Sequence, residues 1–191
     1  MKLIAPDYFQ DFRCIADQCR HSCCIGWEID IDAETMEKYR RTPGAFGKRL
    51  NAAIAQDDQG AHFVLDKQER CPMLNENGLC DLITELGEES LCQICADHPR
   101  FRNFFTHRTE IGLGLCCEAA AQLILKKETP MQLMVMEDDG ENETPAPAEE
   151  ALLTFREQLI SILQDRSFPL TDRLQMLLKA ADAALPGRDW L

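Results

Sequence analysis

Ten cysteines lie within the first 117 residues of this 191-residue chain, and no cysteine follows Cys117. Thiols in a reducing compartment do not persist as disulfides, so this concentration predicts coordination of a metal ion or an iron-sulfur cluster. Loops can wrap such a centre, and Cys71 and Cys80 flank the turn sequence Asn75-Glu76-Asn77-Gly78. The even number of cysteines keeps disulfide bonding open as an alternative.

The spacing of the cysteines identifies two local groups. Four stand within eleven residues, in the pattern Cys-x4-Cys-x3-Cys-Cys from Cys14 to Cys24. Cys92 and Cys95 form a pair whose i, i+3 spacing places both sulfur atoms on one face of a predicted helix. Cys116 stands in an apolar run, which is typical of a small core residue.

The spacing leaves the identity of the metal open between iron and zinc. Structural zinc sites commonly use paired C-x2-4-C ligands, and only Cys92 and Cys95 form a regular pair of this kind. A 4Fe-4S cluster accepts thiolates at irregular spacing, so the pattern favours iron-sulfur. The C-x3-C-x2-C triad of radical S-adenosylmethionine enzymes is missing, because Gly26 stands where its third cysteine would be. Cys19-x-His21 with Cys95-x-x-His98 leaves a Rieske site as an alternative.

The charge and hydropathy of the chain argue against nucleic acids and membranes as binding partners. A formal net charge of −13 argues against broad binding to nucleic acid or to an anionic membrane. A stripe of Phe and Arg over residues 100–108 keeps RNA binding as a minor alternative, while Arg100 and Arg102 suit a carboxylate, a phosphate or the shielding of thiolates. No apolar stretch approaches the ~20 residues that cross a bilayer, and no signal-peptide core follows Met1, so we expect a cytoplasmic protein without a membrane segment.

Hydrophobic periodicity predicts short, alternating elements in the cysteine-bearing part. Asp32 is suited to cap the first helix. The predicted strands cover residues 27–32, 62–66 and 80–84, and the predicted helices cover residues 33–40, 46–56, 88–96 and 111–127.

The second part of the chain has a different character. Residues 137–150 contain seven acidic residues and no basic ones, which is typical of a solvated linker. Leucine-rich stripes at helical spacing follow over residues 152–163 and 170–185, and Pro186-Gly187 stops the second stripe. The predicted fold is mainly α with a few short β-strands (α+β). It comprises a cysteine-cluster domain at 1–136, an acidic linker at 137–150 and a helical hairpin at 151–191.

Several segments resemble a known protein family both in residue identity and in the spacing of the cysteines. Leu3-Ile4-Ala5-Pro6-Asp7-Tyr8 and then Cys23-Cys24-Ile25-Gly26-Trp27-Glu28-Ile29-Asp30 resemble the start of flagellin lysine-N-methylases of the FliB type. The resemblance extends over about residues 1–127 and includes the broader YkgJ-type cysteine-cluster group. It is carried by Cys71-Pro72-Met73-Leu74, Gly78-Leu79-Cys80, Leu91-Cys92, Cys95, Pro99-Arg100, Gly112-Leu113 and Cys117-Glu118-Ala119-Ala120.

This resemblance implies a function and a set of ligands. The expected activity is transfer of a methyl group from S-adenosylmethionine to lysine side chains of flagellin or another protein, with a 4Fe-4S cluster or zinc as cofactor. A non-catalytic zinc- or iron-sulfur-binding module is the alternative. Neither catalytic residues nor a methyl-donor site is identified by the sequence, and Cys116 stands where the family has Ser. The nine candidate metal ligands are Cys14, Cys19, Cys23, Cys24, Cys71, Cys80, Cys92, Cys95 and Cys117.

Overall fold

A computed structural model describes residues 1–140 and 143–184. The chain divides into two compact units. Unit 1 contains Met1–Asp7, Arg102–Ile111 and Lys127–Leu191, and unit 2 contains Tyr8–Phe101 and Gly112–Lys126. All ten cysteines belong to unit 2. The domain boundaries at 136 and 150 inferred above stay a prediction.

The described residues form seven strands and seven α-helices, so the predicted α+β class is confirmed. The strands are β1 (Lys2–Pro6), β2 (Asp30–Ile31), β3 (Ile54–Gln56), β4 (Ala61–Phe63), β5 (Arg100–Phe104), β6 (Arg108–Leu113) and β7 (Leu133–Asp138). The helices are α1 (Ala33–Arg41), α2 (Gly44–Ala52), α3 (Asp81–Leu86), α4 (Gln93–Asp97), α5 (Glu118–Leu125), α6 (Pro147–Gln164) and α7 (Leu170–Ala184).

A four-stranded sheet has the order β5-β6-β1-β7. β1 lies parallel to β6, with Lys2 opposite Arg108, and antiparallel to β7, with Pro6 opposite Leu133. Because β1 is paired on both sides, its residues Ile4 and Ala5 are buried.

The two long helices of unit 1 pack against each other, which confirms the predicted helical hairpin over the described residues. Pro147 occupies the first turn of α6, where its missing N–H leaves no helical hydrogen bond unmade. The predicted helix stop at Pro186-Gly187 lies outside the described residues, as do positions 141 and 142 of the predicted linker.

Unit 2 is built around one cysteine-containing core. A small antiparallel sheet of order β2-β4-β3 contributes to it, and α1 begins at Asp32 as predicted. The largest fully buried side chains are Tyr39, Phe63, Ile29, Leu50, Met73, Leu82 and Cys92. A second, smaller cluster of Phe12, Leu113 and Ala120 packs with α5.

Several of the predicted elements differ from the structure. The predicted helix 88–96 is a 3-10 helix at Glu88–Ser90 followed by α4, and the predicted strands 27–32 and 62–66 are shortened to β2 and β4. Residues 80–84 were predicted as a strand, but Cys80 starts helix α3. Residues 111–127 were predicted as one helix, yet the first three belong to β6 and α5 begins only at Glu118. The predicted helix 46–56 ends at Ala52, and β3 follows. Short apolar runs suit either element, so pairing with a distant strand decides between them.

No helix within residues 1–140 and 143–184 is both long enough and apolar enough to span a membrane.

A buried ion pair holds α6 in unit 1. Glu110 is 7% exposed, and Arg156 donates to its two carboxylate oxygens over 2.6 and 2.7 Å, while Arg108 approaches to 2.8 Å. We expect Glu110→Gln to lower the free energy of unfolding by about 3 kcal/mol, because it leaves guanidinium charge without a buried partner. Urea denaturation measures the loss. The control is Glu37→Gln, which removes an exposed pair with Arg41 and should cost less than about 0.5 kcal/mol. Equal losses in the two variants would contradict this assignment.

Candidate metal centre

Five cysteines from four segments of the chain meet in the core of unit 2, and we call them the inner cysteine group. Cys71 and Cys92 are buried, with 6% and 0% exposure. Cys24, Cys80 and Cys95 are partly buried and pack against the same core. All ten cysteines of the chain are free thiols in the structure.

Backbone pairing brings the first three of these cysteines together. The N–H of Cys71 donates to the carbonyl oxygen of Cys24 over 2.8 Å, so the two segments run side by side. Cys80 is reached through a tight turn in which Gly78 has a φ of 74°, a left-handed conformation that favours glycine. A bridge between Leu74 and Cys80 closes that turn.

Cys92 and Cys95 touch each other across the first turn of α4, as their spacing predicts. Cys92 is the N-cap residue of this helix. The thiol of Cys95 hydrogen-bonds to that of Cys92, which raises the pKa of Cys95 and lowers the pKa of Cys92. Both thiols would have to lose their protons to bind one metal centre, because metals bind the thiolate.

Asp32 fixes the position of α4. Its Oδ1 accepts the N–H of Thr35 in α1, and its Oδ2 accepts the N–H of Gln93 in α4, both over 2.9 Å. Burial alone would raise the pKa of Asp32, but these hydrogen bonds outweigh burial and hold its pKa below the usual value. The capping role of Asp32 was predicted from the sequence. Its bond to Gln93 was not, because no local pattern encodes a contact between such distant segments.

Backbone N–H groups face two thiols of the inner cysteine group, Cys71 and Cys80. Burial raises the pKa of Cys71 to about 11, while the N–H groups of Met73 and Leu74 act in the opposite direction. Burial likewise raises the pKa of Cys80, opposed by the N–H groups of Ile83 and Leu82. Donors directed at sulfur stabilise a negatively charged thiolate, and hydrogen bonds of this kind tune thiolate-bound centres.

Three of the four remaining predicted ligands form a second assembly, the outer cysteine group, consisting of Cys14, Cys19 and Cys117. The N–H of Arg20 donates to Glu118 over 2.8 Å and so ties the residue after Cys19 to the residue after Cys117. Burial raises the pKa of Cys19, and the neighbouring thiols of Cys14 and Cys117 raise it further.

Cys23 lies between the two groups. Its thiol hydrogen-bonds to that of Cys24, which raises the pKa of Cys23. It also contributes to the raised pKa of Cys19 in the outer group and of Cys80 in the inner group. Cys116 is exposed and belongs to neither group, so its prediction as a small core residue is wrong.

The sulfur donors of the inner cysteine group fit a thiolate-bound centre in chemical type. Their positions in the structure do not form a metal coordination site. Across the two described stretches of chain, no three His, Cys, Asp or Glu side chains stand in positions that would hold a metal ion. The inner cysteine group nevertheless offers five sulfur atoms in one core with N–H donors beside them, and sulfur ligands suit iron-sulfur clusters and zinc.

Comparison with known proteins finds relatives that resemble part of this chain. Lysine-N-methylases of Salmonella typhimurium and Salmonella choleraesuis are each 28% identical to it over 142 residues. The chain is similar to lysine-N-methylases. The alignments cover 67% of this chain but 33% of each relative, so the chain spans about a third of the length of these relatives.

A third relative is of more similar size. The flagellar biosynthetic protein FliU of Salmonella muenchen is 28% identical over 138 residues, covering 67% of this chain and 79% of the relative. No family model matches the chain, and no solved structure matches it. The resemblance to the YkgJ-type cysteine cluster stays a prediction.

The burial of the thiols predicts an order of chemical reactivity in metal-free protein. Iodoacetamide at about pH 8 should alkylate exposed Cys116 on the order of a hundredfold faster than Cys71, since Cys71 is buried and its pKa is raised to about 11. Peptide mass spectrometry at successive times measures both rates, and exposed Cys14 serves as a second fast-reacting reference. Similar rates at Cys71 and Cys116, in metal-free protein that circular dichroism shows to be folded, would contradict the inner cysteine group.

Proposed function

We propose that this chain takes part in methylation of protein lysine side chains and that its inner cysteine group binds a 4Fe-4S cluster. The observation that carries the first proposal is the similarity to lysine-N-methylases over 67% of the chain. The convergence of five cysteines in one core supports the second. Flagellin is the first substrate to test, because the relative FliU is named as a flagellar biosynthetic protein.

The residues that would hold the cluster are four of Cys24, Cys71, Cys80, Cys92 and Cys95. Bound to these thiolates, a cluster supplies either a redox centre or a rigid cross-link between segments. The N–H groups facing Cys71 and Cys80 stabilise thiolate charge, and Asp32 keeps the start of α4 in place. Free thiols throughout the chain suit the reducing environment of the cytoplasm, which we propose as its location.

Lysine methylation places a simple demand on the site. The amine must first lose a proton, because only the neutral nitrogen has the lone pair that attacks the methyl carbon of S-adenosylmethionine. As the new C–N bond forms, the C–S bond of the sulfonium breaks, and its electron pair stays on the sulfur of S-adenosylhomocysteine. Protein groups near the bound ammonium therefore have to take up its proton, which a carboxylate can do as a general base.

A second candidate function is a metal-stabilised structural module. Cys92 and Cys71 stand in the core where larger apolar residues would otherwise pack, which favours a centre that holds the fold together. In that case zinc would serve as well as iron-sulfur, because a structural site needs four ligands and no open position.

Metal analysis separates these proposals. Protein purified without oxygen should contain iron and acid-labile sulfide in equal amounts and show an absorption band that dithionite bleaches. Cys92→Ser and Cys71→Ser should each lose most of the iron, because serine is a poor ligand for iron-sulfur. The matched control is Cys116→Ser, which should retain the wild-type content. Stoichiometric zinc without iron would support the structural module, and unchanged iron in all three variants would refute the ligand set.

Methyl transfer is tested directly. Reconstituted protein is incubated with S-adenosylmethionine carrying an isotope-labelled methyl group and with purified flagellin. We expect labelled methyllysine in flagellin by peptide mass spectrometry and S-adenosylhomocysteine in an equal amount. Flagellin with dimethylated lysines, which have little remaining acceptor capacity, is the substrate control. Absence of both transfer and binding of the methyl donor would exclude the enzymatic function of this chain.

A further inference from the structure

A cleft of about 650 Å³ opens in unit 2 on helix α4, the helix that begins beside Cys92 and contains Cys95. Ile94 and Asp97 of α4 line it, together with residues of β2 and of the segment that leads into β5. Pockets of this size hold small ligands or side chains of a bound peptide. None of the cysteines of the inner group lines the cleft.

Aromatic rings form the apolar walls of the cleft. The ring of Trp27 lies 5.7 Å from that of His98, tilted by 34°, and Phe101 is 50% exposed. Gly112 makes room for Phe101, because a Cβ atom at Gly112 would lie 2.5 Å from the Cζ atom of that ring. Exposed aromatic faces in a concave site attract cations and pack against alkyl chains.

The charged groups of the cleft are mainly acidic. Asp30 is exposed and makes no ion pair with a described residue, and the pKa of Asp32 lies below its usual value. Asp97 adds a third carboxylate and accepts a hydrogen bond from Gln93 over 2.7 Å.

The basic groups of the cleft do not offset this acidity. The guanidinium of Arg100 lies over the ring of Phe12 at 5.3 Å and donates to the carbonyl oxygen of Ala96. Burial lowers the pKa of His98, so its imidazole is neutral at neutral pH. The cleft therefore combines apolar walls with excess negative charge, which suits a cation at the end of an alkyl chain.

We propose that this cleft binds the lysine side chain of a protein substrate, with its alkyl chain between Trp27 and Phe101 and its ammonium beside Asp30. This inference rests on the proposed function, and it assigns the cleft as the site that binds the lysine to be methylated. The shared helix α4 places the site next to the inner cysteine group, because Gln93, Ile94 and Asp97 line the cleft while Cys92 and Cys95 face the core.

Peptide binding tests the assignment without requiring methyl donor or catalysis. The chain has two tryptophans, so Trp190→Phe leaves Trp27 as the sole indole fluorophore. The metal-loaded protein with this change is titrated with the blocked pentapeptide acetyl-Ala-Ala-Lys-Ala-Ala-amide. The same pentapeptide with norleucine in place of lysine preserves the alkyl chain and removes the charge. We expect the lysine peptide to change Trp27 fluorescence and to bind more tightly than the norleucine peptide.

Matched variants locate the ammonium. Asp30→Asn should weaken binding of the lysine peptide about fivefold and leave the norleucine peptide unaffected, because a partly exposed ion pair is lost. Asp11→Asn removes an exposed carboxylate outside the cleft and serves as the control of equal charge. Circular dichroism and thermal melting confirm that both variants keep the wild-type fold.

The outcomes are separable from those of the proposed function. Tighter binding of the lysine peptide that depends on Asp30 supports the cleft even if flagellin is not methylated. Equal affinity for the two peptides, or equal effects of Asp30→Asn and Asp11→Asn, overturns it even if methylation is observed.

Discussion

The two hydrogen bonds accepted by Asp32 support the cysteine-bearing core. One oxygen of its carboxylate caps α1, and the other oxygen accepts the first N–H of α4. Helix α4 has five residues and is too short to be stable by itself. Its position therefore depends on contacts outside the helix, and Asp32 supplies a charged one. Both thiols of the Cys92 and Cys95 pair, and one wall of the cleft, take their positions from this helix.

The other elements of unit 2 are similarly short. Strand β2 has two residues and α3 has six, so neither gains much from its own backbone hydrogen bonds. Small thiols in the core contribute less apolar surface than leucine or phenylalanine would. A metal centre joining Cys24, Cys71, Cys80, Cys92 and Cys95 would cross-link these segments. Under the proposed function, metal binding and folding of unit 2 are therefore coupled.

The candidate centre and the cleft give α4 two different roles. Its cysteines pack into the core, while Ile94 and Asp97 line the cleft, which has apolar walls and an excess of carboxylates. A rigid core beneath a binding cleft limits the movement of the side chains that contact a ligand. Under the two proposals, this arrangement would connect a cysteine-rich core with recognition of a protein side chain, and the sulfur ligands would not need to touch the substrate.

Local chemistry determined which parts of the structure the sequence predicts correctly. Asp32 caps α1 because its side chain reaches an N–H three residues away, and α6 and α7 follow from apolar residues at helical spacing. The sequence also nominates cysteine as the ligand type. It could not show that Ile111 belongs to a strand, because β6 is stabilised by parallel pairing with β1, about a hundred residues earlier in the chain.

The sequence by itself determined the α+β class, the cap of α1, the C-terminal hairpin and the nine thiols proposed as ligands. Only the tertiary structure decided how those thiols are divided, with Cys24 beside Cys71 in the core and Cys19 near Cys117 outside it. It also decided that Asp30, Trp27 and Phe101 line one cleft. The physical reason is that caps and periodicity act within a few residues, whereas these groupings depend on hydrogen bonds and packing between distant segments.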